Sequence, residues 1–353
     1  MLFALDKESE VKLERLFEVN NKNVDVLLLL RNFLVSHEKD IKENDIKSSN
    51  ITKSYIDKIV EHYHLKDEEI ISYLNEGVSL LDEKIIEENP YYKNIRFENV
   101  SNDKWTLKND KYEAYEAFVY RSHISKRENY YQEIPQIGFF KKSVSFPAVF
   151  ENDVLWMSVT PNEINTMSLP IQKAKGDVIT FGLGLGYFAY MASNKEDVKT
   201  LTIVEKDEEV IDLFKKHILP HFEHQEKITI VKEDAFEYMK TKNMSAFDYI
   251  FVDLHHDASD GLNVFLKSKS ILKDIKADFW ILDSIILLAR KMIISTLEDY
   301  YYQEDYSYDN YQFVYSSIKY LLKDDVFATF DQIDELLSDS GVLKMLENIS
   351  LLK

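Results

Sequence analysis

Two histidines stand between two carboxylates in the run Asp253-Leu254-His255-His256-Asp257. A histidine whose ordinary pKa is about 6.5 can remove a proton from a nucleophile, and a neighbouring carboxylate can orient it. The same residues have plainer uses: Asp257 can cap a following helix, and a loop histidine can simply be solvated. A second grouping is made of backbone. Three of the chain's eight glycines, Gly182, Gly184 and Gly186, fall within five residues. Glycine allows positive φ and lets a ligand approach the main chain, so this turn suits a nucleotide-type ligand, or else is a tight turn with none. Glu205, 19 residues after Gly186, can accept hydrogen bonds from both ribose hydroxyls. Asp234-Ala235 offers a carboxylate and an amide to an adenine edge. Thr160-Pro161-Asn162-Glu163 lies upstream, where Asn162 and Glu163 either reach the far end of such a ligand or form an ordinary turn.

These residues share a crevice only if particular elements carry them. Asp177–Phe181, Thr200–Val204, Lys227–Val231, Phe247–Val252 and Ala277–Leu282 read as five strands, each short and apolar. Helical stretches at Tyr187–Ser193, Glu208–Leu219 and Leu262–Ile275 alternate with them. Alternation of this kind predicts an α/β fold with a doubly wound, Rossmann-like parallel sheet. Glu205, Asp234 and Asp253 then stand at or just beyond the carboxyl ends of three strands, beside the glycine turn. Ahead of this unit, residues 1–90 show helical spacing with one glycine, at Gly77, and residues 91–169 show short aromatic and β-branched runs. The expected organisation is a helical region at 1–90, a small β-rich or mixed subdomain at 91–169, and a Rossmann-like domain at 170–353 with a helical tail. Tyr300 to Tyr311 reads as an amphipathic surface segment.

Composition narrows the partners. With 43 basic and 62 acidic residues the formal charge is −19, which disfavours duplex nucleic acid and anionic membranes. The chain has no cysteine, which removes disulfides, thiolate metal sites and thiol nucleophiles. Neither a secretory signal nor a membrane-length apolar run is visible, so a soluble, cytoplasmic protein is expected.

The stretches VITFGLGLG (Val178 to Gly186), LTIVEKD (Leu201 to Asp207), VKEDAFEYM (Val231 to Met239) and FDYIFVD (Phe247 to Asp253) together resemble the class I S-adenosylmethionine-dependent methyltransferases. The resemblance runs from about Ser158 to Asp283. The layout, with its β-rich segment in front, is also similar to spermidine synthases, which share the fold and bind decarboxylated S-adenosylmethionine. The resemblance implies that the backbone of Gly182, Gly184 and Gly186 passes the amino-acid portion of the cofactor. It further implies that Glu205 holds the ribose with Lys206 beside it, that Asp234 and Ala235 read adenine, and that Asp253 lies near the methionine portion or the acceptor. Thr180 stands where many members have an acidic residue, and Asn162 and Glu163 are the candidates to replace it. The turn is G-x-G-x-G rather than the G-x-G-x-x-G favoured by nicotinamide dinucleotides.

The function expected from sequence is methyl transfer from S-adenosyl-L-methionine to an unidentified small-molecule or protein acceptor, with Asp253, His255, His256 and Asp257 as catalytic candidates. The alternative is an aminopropyltransferase related to spermidine synthase, with Asp253 and Asp257 as the acids for a polyamine. A non-catalytic nucleoside-binding protein of the same fold is the third reading. Asp253 and Asp283 end two strands as magnesium ligands do in some methyltransferases, but a helix start at Asp283 is the favoured reading and no metal is expected. The helical first region either covers the acceptor site or builds a homo-oligomer. Closing strands after the fifth are not evident.

Overall fold

The computed structural model describes residues 1–127, 130–304 and 311–352. The strand Gly176–Phe181 has no polar face, so its side chains must be covered on both sides. Ile179 and Phe181 pack with Val204, Ile250, Val252 and helices after the sheet's third and fourth strands. Val178 faces the other way, into a core with Tyr190, Leu201, Ile203 and Phe214. Five parallel strands result, ordered Ile228–Lys232, Val198–Glu205, Gly176–Phe181, Tyr249–Val252 and Asp278–Phe279. Numbered along the chain, that order is 3-2-1-4-5. It reverses beside the first strand, where the doubly wound fold opens a crevice at the carboxyl ends. The doubly wound, Rossmann-like α/β fold expected from the sequence is therefore the fold of this chain.

The fifth strand is shorter than its apolar run suggested. Only Asp278 and Phe279 pair with the fourth strand, in register with Phe251 and Val252. Ile281 then turns through a left-handed conformation (φ +46°), and a helix runs from Leu282 to Tyr302. Among the described residues nothing extends the sheet beyond this strand. Helices Gln312–Leu322, Phe330–Leu337 and Asp339–Leu351 instead complete the core on that side. Arg290, fully buried, fixes them: its Nε–H donates to the Leu337 carbonyl at 2.7 Å, its Nη2 pairs with Asp339, and its guanidinium lies 3.9 Å over the Tyr131 ring. Of the tyrosine-rich segment, residues 305–310 lie outside the described residues.

The amino-terminal helix, Lys7–Ser36, is capped by Asp6, which accepts from the Ser9 amide at 2.8 Å. Its first half, with Leu13, Leu16 and Phe17, packs among the carboxyl-terminal helices. Its second half, with Val26, Leu30 and Phe33, packs on helices Ile51–His62 and Glu68–Gly77. Leu2–Phe3 pairs in parallel with Val326–Phe327. Between the helices and the parallel sheet lie two β layers. Val78–Leu80, Tyr130–Phe139 and Phe118–Arg127 form one; Val100–Ser101, Trp105–Tyr112, Val144–Glu151 and Val154–Ser158 form the other. The second layer ends on the hairpin strand Val154–Ser158, beside the crevice. Lys104 ties this layer to the sheet, bonding Glu151 at 2.8 Å and Asp207 at 3.2 Å. Among the described residues no helix is long and apolar enough to cross a membrane.

Candidate functional site

The glycine turn joins the first strand to helix Tyr187–Ser193. Gly182 has φ +100°, and a Cβ there would lie 1.9 Å from the Asp253 carbonyl oxygen. The ends of the first and fourth strands converge so closely that only glycine fits. Gly184, at φ +50°, lies under Met157, whose Sδ would be 2.3 Å from a Cβ. Gly186 begins the helix against the Phe214 ring and does not line the crevice.

The crevice encloses about 510 Å³. From the candidate set it brings together Asn162, Glu163, Gly182, Gly184, Glu205 and Lys206, and with them Asp234, Ala235, Asp253, His255 and His256. Asp257 is outside the lining. It caps helix Ala258–Leu272 by accepting from the Ser259 and Asp260 amides at 2.7 and 3.3 Å. Asp283 is also outside, in the first turn of the helix that starts at Leu282. Among the described residues no three histidine, aspartate or glutamate side chains gather as a metal site.

Most amides of the turn are already engaged. Gly182 donates to the Val204 carbonyl (3.0 Å), Leu183 to Glu205 Oε2 (3.3 Å), Leu185 to Met157 Sδ (3.0 Å) and Gly186 to the Leu183 carbonyl (2.9 Å). Glu205 also receives the Lys206 and Asp207 amides on Oε1, at 2.7 and 2.9 Å. Its carboxylate is thereby fixed at the end of the second strand, where the residue lines the crevice. Asp234 caps helix Ala235–Thr241, taking the Phe236 and Glu237 amides on Oδ1 at 2.9 and 3.1 Å. Those bonds satisfy two of the orphan amides at the helix start; the Ala235 amide, ahead of both, has no carbonyl one turn back to reach.

Two carboxyl groups occupy the deep end. Glu163 is only 5% exposed, from the first turn of helix Pro161–Lys173, and its Oε1 is buried without a partner. Burial, and the nearby Asp253 charge, push its pKa well above the usual carboxylate range. Asp253 keeps some surface on the crevice but its carboxyl is enclosed below the protein surface, and burial pushes it up to about 7. Glu163 is held protonated more firmly in the folded chain than in the unfolded one. The stability this contributes is present below the unfolded pKa and is lost as pH rises through the folded one. Glu163→Gln is therefore expected to raise the melting temperature by roughly 2–4 °C at about pH 8 and by less at about pH 5. Thermal denaturation at the two pH values measures this.

The histidines differ. His255 is 7% exposed, its Nε2–H donates to the Trp280 carbonyl at 3.1 Å, and its Nδ1 is buried without a partner. Burial lowers its pKa, outweighing the opposite pull of Asp260, the Trp280 carbonyl and Asp257. His256 is half-exposed, its Nδ1–H donates to Asp260 Oδ2 at 3.1 Å, and its ring meets the Trp156 ring edge to face at 4.2 Å. That contact joins the hairpin strand to the loop after the fourth strand, and both residues line the crevice.

Trp156, Met157, Ser158 and Trp280 line the site and were not among the sequence candidates. Trp280 follows the fifth strand, where the rule that crevices form at strand carboxyl ends points to it. Nothing in the hairpin's own residues marks it as a cover.

Residues 171–321 match the family model described as the spermine/spermidine synthase domain. Among solved structures, a spermidine synthase in complex with the transition-state analogue AdoDATO is 15% identical, with a TM-score of 0.31, covering 50% of this chain and 53% of that one. Spermidine synthase from Thermotoga maritima is 14% identical, with a TM-score of 0.29, covering 50% of this chain and 64% of that one. Against curated proteins nothing matches.

Proposed function

We propose that the chain is an aminopropyltransferase that moves a 3-aminopropyl group from decarboxylated S-adenosylmethionine to an amine. One observation carries the reading. The deep end of the crevice presents two carboxyls, Glu163 and Asp253, and the lone lysine of the lining, Lys206, follows Glu205 at the end of the second strand. S-adenosylmethionine would bring a carboxylate toward two acids and a turn whose amides are mostly engaged. The decarboxylated donor brings only a sulfonium and an ammonium, both of which an acidic pocket favours. The match of residues 171–321 to the spermine/spermidine synthase domain supports this reading over methyl transfer.

In this reading Asp234 and the Ala235 amide read adenine, Glu205 holds the ribose, and the glycine turn passes the sulfonium. Glu163, which gives up its proton when the cation docks beside it, and Asn162 hold the donor's ammonium. The acceptor nitrogen attacks the propyl carbon attached to sulfur. A C–N bond forms, the C–S bond breaks with its electron pair going to sulfur, and methylthioadenosine leaves as a neutral thioether. Alignment supplies much of the rate, because the carbon is already activated. The proton released from the attacking nitrogen goes to Asp253, whose pKa of about 7 suits a base at neutral pH.

Calorimetric titration tests the donor. Decarboxylated S-adenosylmethionine is expected to bind at least about tenfold more tightly than S-adenosylmethionine, a difference of about 1.4 kcal/mol. Tighter binding of S-adenosylmethionine would overturn this reading in favour of methyl transfer.

A further inference from the structure

The order of the parallel sheet divides the crevice. The ends of the second and third strands lie on one side of the glycine turn and carry Glu205, Glu233 and Asp234. The ends of the fourth and fifth strands lie on the other side, and rings line it. Trp156 meets His256 at 4.2 Å, His256 follows His255 in the chain, and the His255 ring lies 5.4 Å from that of Trp280. The buried Trp105 ring holds Trp156 edge to face at 5.4 Å. Trp280 in turn donates its Nε1–H to Thr166 Oγ1 at 2.9 Å, on the helix that carries Glu163. A wall of rings therefore runs from the hairpin strand to that helix. Trp156 is 43% exposed and the His256 side chain 48%, so both keep surface that a ligand can cover.

Carboxyls are scarce on this side. Among the described residues of the lining they are Glu163 and Asp253. Asp257, the second acid expected for a polyamine, caps a helix and lies outside the lining. Asp260 is outside it too, and accepts from the His256 and Asp257 amides and from the His256 ring. We propose that the acceptor is an amine with a single nitrogen and an apolar, ring-bearing body, an arylalkylamine, and not a diamine or polyamine. This assignment rests on the aminopropyl-transfer reading, in which Glu163 meets the donor's ammonium and Asp253 the attacking nitrogen. A diamine brings a second ammonium, and the ring wall has no further acid to meet it. That group either loses its water against the rings or stays in solvent and leaves them uncovered. An aryl body covers the rings and leaves water itself. The bonds made and broken are those of aminopropyl transfer, and Asp253 still receives the proton.

The experiment is a competition in one vessel between phenethylamine and the diamine putrescine at equal concentration, with decarboxylated S-adenosylmethionine as donor. Mass spectrometry reads the ratio of the two aminopropylated products. The full chain is used as wild type, Trp156→Ala and Trp156→Glu. Expected is an aryl-to-diamine product ratio of about ten or more for wild type. Trp156→Ala should lower it about threefold or more by removing ring surface, and Trp156→Glu about tenfold by also supplying an acid. Because the ratio is internal to each sample, partial unfolding of a variant does not change it. If neither variant folds, the wild-type ratio decides. A wild-type ratio near or below unity means that the second ammonium finds a partner; it overturns the acceptor assignment and leaves the transferase reading standing. A ratio that neither variant lowers does the same. Transfer to neither amine by a chain that binds the donor overturns amine transfer and this assignment together. Failure to bind the donor is the separate failure of the donor reading.

Discussion

Asp253→Asn is expected to lower kcat/KM for aminopropyl transfer by about a hundred- to ten-thousandfold, the contribution of a positioned general base. The asparagine keeps the size of the side chain and removes only its capacity to hold a proton. Burial pushes the Asp253 carboxyl up to about 7, so the basic form is the minority species in mildly acidic solution and the majority above neutrality. Wild-type kcat/KM should therefore rise with pH through about 7 and level off above it. The variant should be slow and lack that rise. His255 gives a clear contrast, because its pKa lies below that of an ordinary histidine and its protonation would place any limb further to the acid side. Steady-state kinetics from about pH 5.5 to 9 make the measurement. A limb near pH 7 that persists in Asp253→Asn would assign the proton to another group.

Gly182→Ala should abolish nucleoside binding and destabilise the fold by about 3 kcal/mol or more. The added methyl would meet the Asp253 carbonyl oxygen at 1.9 Å, and a main-chain oxygen cannot step aside as a side-chain tip can. The backbone there also needs φ +100°, a conformation alanine rarely adopts. Relief requires separating the ends of the first and fourth strands, which moves Asp253 and breaks the bond from its amide to the Phe181 carbonyl, now 2.9 Å. Gly184→Ala makes a useful comparison. Its Cβ would meet Met157, a flexible side chain, although the φ of +50° still carries strain. It should lose less stability than Gly182→Ala while still weakening the donor. Thermal melts and calorimetry with methylthioadenosine read both effects. Equal stability of wild type and Gly182→Ala would mean that the two strand ends are not rigidly joined.

The parallel sheet was legible because its strands are covered on both faces and so appear as apolar runs such as Tyr249 to Val252. The glycine turn, Glu205 and Asp234 were legible for a related reason: each sits at a strand end, where the fold itself creates the crevice. Local sequence was less able to separate residues that line the crevice from those that only build the scaffold. Gly186 and Asp257 belong by residue type to the same groups as Gly182 and Asp253, yet one makes room beside Phe214 and the other caps a helix. The fifth strand was overextended because Trp280 to Leu282 is equally apolar in a strand or entering a buried helix, and periodicity over so few residues cannot decide. Trp156 and Met157 were beyond reach, since the place of Met157 over the glycine turn and of Trp156 against His256 depends on the packing of a remote hairpin. The deep burial of Glu163 depends likewise on what surrounds a helix start that, in sequence, reads as an ordinary turn.

The pairing of Leu2–Phe3 with Val326–Phe327, and the burial of Phe17 among the carboxyl-terminal helices, bear on how the polypeptide matures on the ribosome. Leu2 and Phe3 have their partners more than 300 residues further along the chain. At about 5–20 residues per second, this segment waits tens of seconds for them. During that interval the apolar side of the first half of its helix, with Leu13, Leu16 and Phe17, lacks its carboxyl-terminal cover, while the parallel sheet, built from segments close in sequence, can already assemble. Synthesis of Val326, Phe327 and the helices beside them then becomes the event that seals this part of the molecule. A ribosome stalled before Val326 should hold a chain whose middle resists proteolysis and whose amino terminus is still cut.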